Sequence, residues 1–84
     1  MDYQLTEHAR ESLQKRPSIR LEWVERILIQ PDRVEPDRTD PALEHRIGRI
    51  HEAEGRTLRV IVKQASNPVR IITCYFDRKL RRQL

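Results

Sequence analysis

The 84-residue chain has a single cysteine, Cys74, two glycines and four aromatic residues, Tyr3, Trp23, Tyr75 and Phe76. One cysteine cannot close an internal disulfide, so a reducing cytoplasm is the expected setting. Gly48 and Gly55 are too far apart to build a glycine-rich loop that cradles nucleotide phosphates. Four aromatics are too few for a platform that stacks several bases of a single strand. The longest apolar runs, such as Ile27 to Ile29 and Val60 to Val62, are three residues, against the roughly 20 needed to span a bilayer. No membrane role is expected, and Met1-Asp2-Tyr3-Gln4 lacks the basic-then-apolar opening of a secretory signal.

What is present is charge and enough apolar material for one core. Leu, Ile, Val and Phe number 22 of 84 residues, which is above the range of chains that cannot offset their ordering entropy. The length suits a single domain over residues 1–84. Residues 1–43 hold 7 Lys/Arg against 9 Asp/Glu, a net of −2, whereas residues 44–84 hold 10 against 4, a net of +6. A half-chain carrying all the positive excess fits a polyanion or an acidic partner, and it also fits a domain kept soluble by its charge.

Hydrophobic spacing predicts two helices followed by strands. Thr6 is placed to cap a helix over about residues 7–15, with Glu7 at its positive end and Leu5, Ala9 and Leu13 in one narrow stripe. Pro17 ends it. A second helix over about 20–30 carries Leu21, Trp23, Val24, Ile27 and Leu28 on a broad arc and stops at Pro31. After a proline-rich loop, in which Arg33 to Glu35 suits a short edge strand, come strands at about 45–52, 57–64 and 69–76. Turns near Gly55 and at Ser66-Asn67-Pro68 imply an antiparallel meander. The fold expected is therefore α+β, with two N-terminal helices on one face of a small antiparallel sheet. Its predicted core is Leu13, Trp23, Val24, Ile27, Leu28, Leu58, Val60 and Val62.

Alternation in the middle strand places Leu58, Val60 and Val62 on one face and Arg59, Ile61 and Lys63 on the other. The facing of the last strand stays open. A five-residue connection pairs Val62 with Arg70, Val60 with Ile72 and Leu58 with Cys74, leaving Ile71, Thr73 and Tyr75 beside Arg59. A four-residue connection flips every side chain.

Metal and nucleophile chemistries find little purchase. His45 and His51, six positions apart on one strand, are ~20 Å apart if that strand is regular and cannot share an ion. Cys74 lies in an apolar strand with no neighbouring histidine and reads as a core residue. His8 falls one step off the first helix's apolar stripe, at the rim, where it suits either a bond to a backbone carbonyl or a role as proton carrier. Arg78-Lys79-Leu80-Arg81-Arg82 reads as a solvated tail or as a phosphate-contacting arm.

The segments LTEHARESLQKR, IRLEWVERILIQPDRVEP, EHRIGRI, GRTLRVIVKQ and PVRIITCYFDRKLRR together resemble a family of small bacterial domains of unknown function related to RelE-type and BrnT-type toxins. The His8-Ala9 pair followed by Arg16, and the closing strand from Val69 to Phe76, are the most specific pieces. Arg46 to Gly48, Gly55-Arg56 and Arg70 to Ile72 match BrnT-like features. The resemblance implies a RelE-like fold and a toxin of a toxin-antitoxin pair that cleaves RNA, free or on the ribosome, without metal or cofactor. Its partner would be an acidic antitoxin.

Cleavage by 2′-hydroxyl attack needs a base, an acid and positive charge around the phosphorane. The expected catalytic set is His8, Arg59, Arg70 and Tyr75, with Tyr75 or His8 as proton carriers. Arg46, Arg49, Lys63, Arg78, Lys79, Arg81 and Arg82 are the expected nucleic-acid contacts. Arg59→Ala and Tyr75→Phe are expected to lower cleavage with the fold intact. Two other readings stand beside this one: a non-catalytic basic domain that docks an acidic protein or nucleic acid, and a divergent relative with an unrelated role.

Overall fold

In the computed structural model, which describes residues 2–80, the chain runs β1 (Tyr3–Leu5), α1 (Glu7–Lys15), α2 (Leu21–Ile29), β2 (Arg33–Pro36), β3 (Leu43–Ile50), β4 (Arg56–Lys63) and β5 (Val69–Phe76). Single 3-10 turns follow at His51–Ala53 and Arg78–Leu80. Thr6 opens α1 by accepting the Ala9 amide on its Oγ1 at 3.1 Å. The same hydroxyl donates to the Ile72 carbonyl, so the cap also ties the helix to β5. Past the end of α1, Arg16 donates from Nη1 to the Cys74 carbonyl at 3.0 Å. Pro31, one residue beyond the Gln30 cap, stops α2. Arg46 Nη1 reaches across from β3 to the Leu28 carbonyl at 2.7 Å, satisfying one of the acceptors a helix end leaves unpaired.

The sheet has the order β1-β5-β4-β3-β2. Strands β3 to β5 form the expected antiparallel meander, and β2 pairs antiparallel with β3 as the expected short edge strand. The sheet as a whole is mixed, because β1 joins β5 in parallel, with Tyr3, Gln4 and Leu5 beside Val69, Arg70 and Ile71. This corrects the expectation of an antiparallel sheet. Three residues are too short to show alternation, and their partner lies more than sixty positions away. Strand β3 ends at Ile50, so His51 belongs to the turn and not to the strand of His45.

Neither register expected for the last strand holds along its length. Val62 pairs with Ile71 and Lys63 with Arg70, but Val60 pairs with Cys74, Arg59 with Tyr75 and Leu58 with Phe76, the shift falling between Ile61 and Val62. An extra residue in one strand inverts its facing from that point on. Ile71 and Cys74, an odd number of positions apart, are thereby both buried under the helices, while Thr73 and Tyr75 face the other way.

Trp23, Val24, Ile27 and Leu28 of α2 pack on Leu58, Val60 and Val62 of β4 as the periodicity predicts, joined by Ala9, Ile19, Ile50, Ala53, Ile71 and Cys74. Fully burying each large aliphatic side chain stabilises the fold by about 1.5–3 kcal/mol. Leu13 lies at the margin, packed against this core but only partly buried. Trp23 meets Phe76 with ring centroids 6.4 Å apart. Among the described residues no helix is long and apolar enough to cross a membrane.

Candidate functional site

With both helices on one face, the other face of the sheet carries the side chains paired with or alternating from Arg59. Arg59 and Tyr75 are direct cross-strand partners there. Ile47, also beside Arg59 and facing away from the helices, is fully buried, so this face is not wholly polar. A hollow of about 400 Å³ opens over Glu35, Asp37, His45, Arg59, Tyr75 and Asp77, with Arg38 and Lys79 at its lining.

Arg59 is the centre of this hollow. Its Nε donates to Asp77 Oδ2 at 3.0 Å, and its Nη1 donates to Glu35 Oε1 at 3.4 Å and to His45 Nδ1 at 2.7 Å. A guanidinium only donates, so Nδ1 must present its lone pair and the ring proton must sit on Nε2. Nε2 stands 2.7 Å from Asp37 Oδ1 and donates to it. The second oxygen of Asp37 accepts the amides of Thr39 and Asp40 and the Thr39 hydroxyl. The bond from His45, with those from the two amides, lowers the Asp37 carboxyl to about 2. Asp37 thus folds its own loop around its carboxylate and fixes which ring nitrogen of His45 is available. The Arg59 and Asp77 side chains are only 11% and 14% exposed.

The sequence-predicted residues divide between the two faces. Tyr75 and Arg59 come together in the hollow. Lys63 and Arg70 pair with each other near the other end of β4 and β5, both exposed and on the same face. Lys79 lines the hollow, and Arg78 opens the following turn. Arg49 stands on this face two residues beyond Ile47, its amide donating to Asp32. Arg46 points to the helical side, bonded to Leu28 and Glu44. His8 is exposed on α1, in the helical layer on the other side of the sheet from Arg59 and Tyr75. Arg81 and Arg82 lie outside the described residues.

The sequence reading missed Glu35, Asp37, His45 and Asp77. Parity could have found His45: with Gly48 and Ile50 facing the core, His45, Ile47 and Arg49 must face away.

Two helices thus cover one face of the sheet and the Arg59–Tyr75 pair stands on the uncovered one. The description Domain of unknown function (DUF4258) matches residues 5–76. The chain belongs to this family. No curated protein and no solved structure matches it. The DUF4258 match stops at the last residue of β5, so it takes in both helices, β2 to β5 and every residue of the hollow except Asp77 and Lys79. Among the described residues no three His, Cys, Asp or Glu side chains group as metal ligands do. Cys74 is fully buried, and burial pushes its thiol up to about 11, against the opposing pull of Arg16.

Proposed function

We propose that this domain is a RelE-like, metal-independent ribonuclease, the toxin of a pair whose acidic antitoxin covers the same surface. The observation that carries the reading is the pairing of Arg59 with Tyr75 in one hollow with the Asp37–His45 dyad. Asp37 holds the Nε2 proton, as a carboxylate orients the imidazole of a hydrolase. The Nδ1 lone pair is then the basic atom, and Arg59 occupies it in the absence of substrate.

When a phosphodiester enters, Arg59 turns its Nη1 to the phosphate and Nδ1 is released to take the 2′-hydroxyl proton. The 2′-oxygen forms its bond to phosphorus as the bond to the 5′-oxygen breaks, and the Tyr75 hydroxyl gives its proton to that leaving oxygen. Arg59 neutralises charge on the phosphorane. The products are a 2′,3′-cyclic phosphate and a free 5′-hydroxyl. Lys63 and Arg70, further along the same face, suit the flanking backbone or the acidic segment of an antitoxin.

The test is incubation of the purified protein with RNA, free and on ribosomes, in EDTA. Cyclic-phosphate ends should form, and His45→Ala and Tyr75→Phe should each lower the rate about 10²-fold or more. RNA that stays intact in both settings would sink the reading.

The alternative, a non-catalytic basic domain for nucleic acid or an acidic protein, is favoured by one observation: Arg59 is already matched by Glu35 and Asp77. Binding of RNA without cleavage would select it.

A further inference from the structure

A second hollow, of about 380 Å³, lies at the end of the sheet and is lined by Arg16, Ser18, Ile19, Arg56, Tyr75, Phe76 and Arg78. It gathers the end of α1, the link to α2, the first residue of β4, the end of β5 and the turn that follows. Tyr75 lines both this hollow and the one around Arg59.

Three arginines and no carboxylate line this hollow. Arg20, Arg26, Arg33, Arg46 and Arg59 each pair with a carboxylate. Glu54 and Asp77 line the adjoining hollow with Arg56 and Arg78, yet Arg16, Arg56 and Arg78 make no ion pair among the described residues. Two of the three are also held in place. Arg56 lies over the Phe76 ring at 4.2 Å and donates from Nε to the Ala53 carbonyl, which leaves its two terminal nitrogens to a ligand. Arg16 spends Nη1 on the Cys74 carbonyl.

We infer that Arg16, Arg56 and Arg78 form a phosphate-binding subsite for the backbone of single-stranded RNA. Planar guanidinium forks match phosphate oxygens in pairs, and the Ser18 hydroxyl at the rim adds a donor. Tyr75 lines both hollows, so a strand anchored here passes round the end of β5 to reach the hollow of Arg59. The subsite deepens the ribonuclease reading by naming what positions its substrate, but it binds a phosphate whether or not the strand is cut.

The test therefore uses a 2′-O-methyl oligoribonucleotide, which has no free 2′-hydroxyl and cannot be cleaved by this route. Its affinity for the full chain is measured by fluorescence anisotropy across a range of salt. Arg78→Gln, at an exposed side chain without structural bonds, and Arg56→Gln should each weaken binding roughly 3- to 10-fold and flatten the logarithmic salt slope by about 0.7 for each phosphate no longer neutralised. Arg10→Gln, which removes the same charge from exposed α1, should leave the slope unchanged. If Arg10→Gln weakens binding as much as Arg78→Gln, general charge is responsible and the subsite is overturned. Polyglutamate binding more tightly than the oligonucleotide at equal charge would also overturn it. Because cleavage is not measured, loss of the ribonuclease reading leaves this result standing.

Discussion

Gly48 of β3 lies directly beneath Ile27 of α2, so closely that a Cβ at position 48 would overlap Ile27 Cδ1. The second helix therefore rests on strand backbone, which brings the α2 terminus within reach of Arg46.

Gly48→Ala should destabilise the protein by about 1–3 kcal/mol through overpacking. Ile27→Val, which removes the clashing methyl, should restore part of that loss in the double variant. Chemical denaturation reads both, and an unchanged midpoint for Gly48→Ala would contradict the contact.

Arg59→Ala should cost stability as well as any activity, contrary to the expectation from sequence that the fold would be indifferent. It leaves the mostly buried Asp77 carboxylate without its cation, held only by the Lys79 amide, an effect of about 1.5–3 kcal/mol. Tyr75→Phe, whose hydroxyl makes no bond among the described residues, should leave the denaturation midpoint in place. The two variants together separate the structural from the chemical part of the Arg59 effect.

Acid should loosen the Asp37 loop. The folded carboxyl is held near 2, below its ordinary 3.8, so its contribution is fully present above pH 4–5 and is lost as pH falls toward 2. Glu52 is lowered to about 2 by its bond from Arg26 and adds to the same slope. Asp37→Asn should flatten the pH dependence of the unfolding midpoint between about pH 4 and 2. A slope equal to that of the parent would show that the His45 bond does not form in solution.

Cys74 should resist alkylation at pH 8 in the native protein and react once the chain is unfolded, because the buried thiol ionises only near 11. Mass spectrometry after iodoacetamide distinguishes the two. Rapid labelling of the native chain would place the last strand in the opposite facing.

Local chemistry determined much of this molecule from the sequence alone. Thr6, Pro17 and Pro31 set the helix limits, because capping and the missing proline amide act within a turn. The arc from Trp23 to Leu28 and the alternation of Leu58, Val60 and Val62 set the two surfaces that meet, because period fixes facing. The positive excess of the C-terminal half was equally a property of sequence. Tertiary structure decided what depends on partners distant along the chain. The addition of β1 to β5, the register shift that buries Ile71 and Cys74 while leaving Tyr75 beside Arg59, and the assembly of Asp37, His45, Arg59 and Asp77 from separate segments all arise from strand pairing. Arg46 and Arg59 are alike as letters; one ends a helix and the other centres a hollow, because their neighbours in the sheet turn them to opposite faces.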